Sequence, residues 1–422
     1  MCTLVRSHIS LSVPVTMLGA WIALSTFAPA FANVITDWDE KGVAVVVPSL
    51  GGASPYPPQR MMGMVHAAMF DAVNSIERRY RPYLVQLPAD PATSKEAAAA
   101  AAAATVLATI DAKTAGEMKA ALATYLAPIP DGAAKSDGVK LGEAVAAKVL
   151  EARANDGSEA PDDYRPRTTP GVYVPTAIPL SSMWPNMKPF AIANPSQFRP
   201  GPPVSLESKE WATDYNELKD YGGQTSAKRS AQQTEIARFW AFGPTAAYHP
   251  FVRQLVTAKQ MSVVDSAQFM ALVALALDDA IIAVLDAKYH YNFWRPITAI
   301  RNGDTDGNPA TDRDATWQPL LTTPMHPEYP CAHCIQGGSV AGVVKAVFGI
   351  ADIPEIEMNS PVLPGVTRRW SNMTAFTEEI ANARIWGGLH YRFSTRVGTD
   401  MGLQIGEYVV KNVMQPVAAP SR

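Results

Sequence analysis

Cysteine is scarce. The 422-residue chain holds three, at positions 2, 331 and 334, which excludes the disulfide framework of a small secreted domain. A basic excess is lacking too: 36 Lys and Arg stand against 39 Asp and Glu, a formal charge of −3. Such a balance gives no electrostatic footprint for nucleic acid, and it makes any local knot of Lys and Arg informative. Strict period-2 alternation is rare, which argues against a sheet-built molecule. Beyond residue 32 no stretch reads as long and apolar enough to cross a bilayer. Even Ala271 to Leu285 is broken by Asp278 and Asp279, so a soluble mature protein without a stable membrane span is expected.

What is present begins with the first 32 residues. They carry one basic residue, Arg6, no acid, and an apolar run from Leu11 to Phe27 that leads to Ala30-Phe31-Ala32. A basic start, an apolar middle and a small-x-small site predict a signal peptide over 1–32, cleaved before Asn33, and hence a periplasmic or secreted protein. Its removal leaves 35 basic against 39 acidic residues, a formal charge of −4.

Apolar residues at helical spacing predict helices over Met61–Ile76, Ser136–Arg153, Gln233–Trp240, Asp265–Asn292, Cys334–Phe348, Thr377–Trp386 and Arg396–Val413. Thr93-x-x-Glu96 reads as a capping box opening the alanine tract Ala97–Ala104. Prolines recur between Gly157 and Pro203, which predicts an irregular wrapping segment. The expected fold is all-α, built of helical bundles, with a helical half over 33–260 and a C-terminal bundle over 261–422.

Three constellations carry chemistry. In KYHYNFWRP, Lys288 and Arg295 are seven apart; if the helix continues they share one stripe, until Pro296 disfavours helix at Arg295. Two cations side by side repel unless an anion sits between them. In PEYPCAHC, His333 follows a proline and small residues at a loop-to-helix start, where backbone N–H groups and the helix dipole favour an anion. In ARIWGGLHYRF, Arg384 and His390 are six apart, about 240° around a straight helix, so they cannot face one site from a single helix. Gly387-Gly388 supplies a break, which predicts that Arg384 ends one helix and His390 begins the next, both turned inward.

Lys, six residues and Arg-Pro, then Pro-Cys-Ala-His, then Arg, five residues and His resemble the signature of the vanadium haloperoxidase and type 2 phosphatidic acid phosphatase superfamily. The strings FWRPITAIR, GNPATD, HPEYP, MVHAAMFDAVN and QTEIARFW resemble its bacterial exported haloperoxidase branch. The resemblance implies helical bundles of the vanadium haloperoxidase and acid phosphatase type, with Lys288, Arg295, Cys331, Ala332 and Arg384 around the oxygens of vanadate or phosphate. It implies that His390 is either the vanadium ligand or a phosphoryl-accepting nucleophile, and that His333 is the acid/base. For a haloperoxidase, it implies that vanadate on His390 takes up hydrogen peroxide, Lys288 polarises it, and halide attacks to give hypohalous acid. The alternatives are an acid phosphatase acting on phosphoesters without a cofactor and a non-catalytic oxyanion-binding protein. A thiol oxidoreductase using CAHC lacks the βαβ surroundings such chemistry uses.

Two departures bear on the site. Cys331 and Ala332 stand where the family has Ser-Gly, and Ala383 stands where it has Ser before Arg384. A thiol is a weaker donor than a hydroxyl. Cys331 and Cys334 can bond only if their Cα atoms lie within about 7 Å; such a bond would make the turn carrying His333 redox-sensitive. The plainer expectation is that Cys331 replaces serine and Cys334 packs as a small apolar residue. Asp304-x-Asp306-Gly307-Asn308 lacks the closing Glu of a calcium loop and reads as a polar turn. His66, His249, His290 and His326 have no ligand-like spacing and read as structural.

Overall fold

A computed structural model describes residues 33–50, 56–349 and 352–417; the leader predicted over 1–32 lies outside them. Its helices are α1 (Val34–Leu50), α2 (Tyr56–Glu77), α3 (Lys95–Leu107), α4 (Ala112–Leu126), α5 (Ala133–Arg153), α6 (Lys209–Gly222), α7 (Ala231–Phe239), α8 (Pro244–Ala258), α9 (Val263–Tyr291), α10 (Pro296–Arg301), α11 (Ala332–Phe348), α12 (Met373–Trp386) and α13 (Arg392–Asn412). Each helix read from the sequence is present, with ends that differ by up to five residues. The alanine tract lies in α3, but its N-cap is Ser94 rather than Thr93. Ser94 Oγ accepts from the Ala97 N–H at 3.1 Å and donates to Glu96. The capping chemistry stands one residue later than expected.

Helix α9, the longest, packs against α2, α11 and α13. By length and composition it could cross a membrane, contrary to the expectation that no segment could, yet 94% of its most apolar window is buried inside the protein. Its acids hold the proline-rich segment in place. Asp279 accepts the backbone N–H groups of Phe190, Ala191 and Ile192, and Asp286 receives the Arg199 guanidinium through two bonds of 2.7 Å. The segment is irregular, as its prolines dictate, apart from one 3-10 turn at Trp184–Asn186.

The close contact of α11 with α13 sets where the site lies. Gly338 and Gly342 on α11 face Gly402 and Gly406 on α13. A Cβ on Gly402 would stand 2.1 Å from the Ile335 carbonyl, and one on Gly406 2.3 Å from that of Ser339. Small residues let the two backbones meet, and the starts of both helices therefore lie together. An all-α reading omits one feature, the antiparallel pair β1 (Asp352–Ser360) and β2 (Leu363–Asn372). In β1 Ile356 and Met358 point inward and Glu355, Glu357 and Asn359 outward, a short apolar–polar alternation that the sequence reading did not single out.

Candidate oxyanion site

Four segments bring the sequence-predicted residues together. Lys288 lies in the last turn of α9, which stops at Asn292 in left-handed backbone (φ 52°). Arg295 is the N-cap of α10, with Pro296 supplying the first helical residue. The stripe expected of a continuous helix is thus replaced by a break between the two cations. Arg384 sits in the last turn of α12, and Gly388, at φ +77°, turns the chain toward His390, two residues before α13. His390 is therefore in the linker rather than at the first helical position. Ala332 and His333 open α11.

Burial of these charges is nearly complete: Lys288 and Arg295 are 0% exposed, His390 1% and Arg384 3%. Lys288 Nζ donates to the carbonyls of Pro327 (3.0 Å) and Glu328 (2.6 Å). Arg295 donates to the carbonyls of His326 and Leu389 and reaches His390 Nε2 at 3.3 Å. Arg384 donates to the Trp240 carbonyl at 3.1 Å, and its Nε has no partner although buried. Burial first, then mutual repulsion, pushes Lys288 well below its usual value and Arg384 down to about 10. Against three cations the site carries, among the described residues, one carboxylate, Glu328. Burial raises it to about 7, although Lys288 and Arg295 oppose that rise.

Donor chemistry settles the state of both histidines. His390 Nδ1 lies 2.8 Å from Glu328 Oε1, and its Nε2 faces an Arg295 N–H that can only donate. The proton is on Nδ1, and the Nε2 lone pair faces the Arg295 guanidinium. Burial, then Arg295, Lys288 and Arg384, holds the ring well below the usual histidine range, so it is neutral. His333 is partly exposed, and its Nε2 faces the Phe242 carbonyl at 3.1 Å. A carbonyl only accepts, so Nε2 carries the hydrogen and Nδ1 is left as a base. Burial and Arg384 also keep His333 well below its usual value.

Sequence reasoning missed Glu328, His326 and Tyr56. His326, read as structural, accepts from Arg295 at Nδ1 (3.0 Å) and meets the Tyr56 hydroxyl at Nε2 (3.3 Å). Glu328 fixes the His390 tautomer; the available signal was an acid inside HPEYPCAHC. The plainer reading of the cysteines is corrected: Cys331 and Cys334 form a disulfide with Cα atoms 5.3 Å apart. Cys331 can therefore offer no S–H to an anion. Asp306 behaves as the polar turn expected, accepting from Trp211 Nε1 at 2.7 Å.

A second buried cluster, Asp39, His66 and His249, places three potential ligand atoms within 4.8 Å of one another. Asp39 Oδ1 bonds both rings, at 2.7 and 2.5 Å, while Oδ2 takes the Arg253 guanidinium at 2.6 Å. Although buried, Asp39 is held well below its usual value by the two histidines. Its charge is matched by Arg253, so this cluster ties α1, α2 and α8 together and lacks the unbalanced positive charge of the first site.

Residues 268–419 match the family described as the VCPO second helical-bundle domain. The chain is 31% identical over 149 residues to the vanadium chloroperoxidase of Curvularia inaequalis, a match that takes in 29% of this chain and 24% of that protein's length. Among solved structures it is similar to the first bacterial vanadium-dependent iodoperoxidase, with a TM-score of 0.78 and 22% identity over 91% of this chain and 98% of the other. It is also similar to a holo-type bacterial vanadium-dependent chloroperoxidase, with a TM-score of 0.69 and 19% identity over 88% and 94% of the two chains.

Proposed function

Because the chain belongs to the vanadium-dependent haloperoxidase and type 2 phosphatidic acid phosphatase superfamily, we propose that it is a vanadium-dependent haloperoxidase, exported by its leader, that oxidises halide with hydrogen peroxide. The observation that carries the reading is the buried set Lys288, Arg295 and Arg384 around the unprotonated Nε2 of His390, with one carboxylate among the described residues to balance three cations. An oxyanion relieves their repulsion and gives the orphaned Arg384 Nε–H an acceptor. The residues thus fit vanadate. Bound there, vanadate would supply a Lewis-acidic centre for activating peroxide.

The protein's own groups have distinct parts. His390 would hold the ion through Nε2, with Glu328 on Nδ1 fixing the tautomer that turns that nitrogen's lone pair inward. Arg295 and Arg384 would bind its oxygens through guanidinium N–H groups, Lys288 would place a point charge beside them, and the N–H groups opening α11 would add the dipole's positive end. His333 takes or returns a proton at Nδ1. Tyr56, Tyr248 and Trp240, all buried, wall the site from water and strengthen these charge interactions. Near-total burial suits a resident inorganic ion with small substrates, peroxide and halide, better than a bulky phosphoester.

Paired assays on the purified mature protein test the reading. Bromide oxidation by peroxide is expected after vanadate loading and absent before it. Phosphoester hydrolysis that vanadate inhibits, without halide oxidation, would make the protein an acid phosphatase; neither activity would leave an oxyanion-binding protein.

A further inference from the structure

The first turn of α11 is closed by the Cys331–Cys334 disulfide, and His333 lies inside the closed loop. Cys331 is the N-cap, with Sγ accepting the Cys334 N–H at 3.1 Å. Its own N–H donates to the Ser394 carbonyl at 3.2 Å, and α13 backs onto it so closely that a Cβ on Gly398 would stand 2.6 Å from the Cys331 carbonyl. Three residues upstream, Lys288 grips the carbonyl of Glu328. The sulfur pair thus closes the turn that carries His333, three residues after the carbonyl that Lys288 holds, and both cysteines are buried.

A half-cystine is uncharged and has no hydrogen to donate. A free thiol at a helix N-cap sits at the positive end of the dipole, beside the field of Lys288, Arg295 and Arg384, and Glu328 is the one carboxylate opposing them. Burial opposes charge on such a thiol, while the helix dipole and the nearby cations favour the thiolate. A thiolate would place a second negative group among cations that otherwise serve an external anion.

We propose that the Cys331–Cys334 pair is a redox-modifiable part of the oxyanion site: the disulfide leaves the cations free for an oxyanion, and reduction creates a Cys331 thiolate that competes with it. The step is a two-electron reduction by a dithiol. The S–S bond breaks, the dithiol closes to its own disulfide, its two hydrogens pass to the cysteines, and Cys331 then gives its proton to solvent. The proposal rests on the oxyanion-site reading and not on which reaction the site performs.

The test is calorimetric binding of inorganic phosphate at pH 8 to the oxidised parent, the dithiol-reduced parent, Cys334→Ser and the Cys331→Ser/Cys334→Ser double variant. Alkylation and mass measurement count free thiols in each. Oxidised parent and double variant are expected to bind alike, while reduced parent and Cys334→Ser bind roughly tenfold more weakly, the effect of about one extra charge at close range. Reoxidation should restore the parent and not Cys334→Ser. If the parent resists reduction, Cys334→Ser decides; if that variant does not fold, the reduced parent decides. Equal affinity with free thiols counted overturns the redox proposal alone. No binding in any form, including the double variant, overturns the oxyanion reading and the proposal with it.

Discussion

At the scale of single residues, His390 and His333 are separated by what their second nitrogens touch. Glu328 commits His390 Nδ1 as a donor and leaves Nε2 to bind, whereas the Phe242 carbonyl commits His333 Nε2 and leaves Nδ1 to move protons. His390→Ala should therefore abolish both vanadate binding and turnover. His333→Ala should keep vanadate affinity largely intact and lower turnover by roughly 10² to 10⁴. Vanadate titration beside steady-state kinetics checks this, and equal loss of binding in both variants would contradict the assignment.

At the scale of elements, the site depends on how near α11 comes to α13. The motif residues Cys331, Ala332 and His333 precede one glycine-lined face, and His390 precedes the other. Gly402→Ala puts a methyl group 2.1 Å from the Ile335 carbonyl, a contact that only separation of the helices can relieve. Overpacking of this kind costs about 1–3 kcal/mol. Chemical denaturation should show that loss, and phosphate affinity should fall although the substituted residue touches no site group. Unchanged affinity in a destabilised variant would mean that the helix starts are positioned by their loops instead.

For the whole molecule, burying three cations around one carboxylate makes the anion-free site a source of repulsion within the core. A ligand that binds only the folded state stabilises it by mass action, about 2.7 kcal/mol at a hundredfold excess over Kd. The melting temperature should therefore climb with phosphate or vanadate concentration, while chloride at equal ionic strength does little. A flat response to both oxyanions would count against the site.

The sequence alone was enough for the helical class and for the strongly periodic helices. Lys288, Arg295, Arg384 and His390 are each weak signals, singled out because their order and spacing together resemble a family pattern, and spacing is a property of the chain. It also showed that Arg384 and His390 need a break between them, because helical periodicity alone forbids a shared face. Tertiary structure decided what depends on distance across the chain. Glu328 meets His390 across 62 positions, His326 joins Arg295 and Tyr56, and Asp39 draws its two histidines from different helices. The capping residue, Ser94 rather than Thr93, and the β1–β2 pair turned on backbone geometry that several side-chain patterns allow. Whether Cys331 replaces a serine or leaves that role in a disulfide was settled by the 5.3 Å between two Cα atoms. The reason is common to these cases: periodicity and residue type report what a side chain can do, and only packing determines which partner it meets.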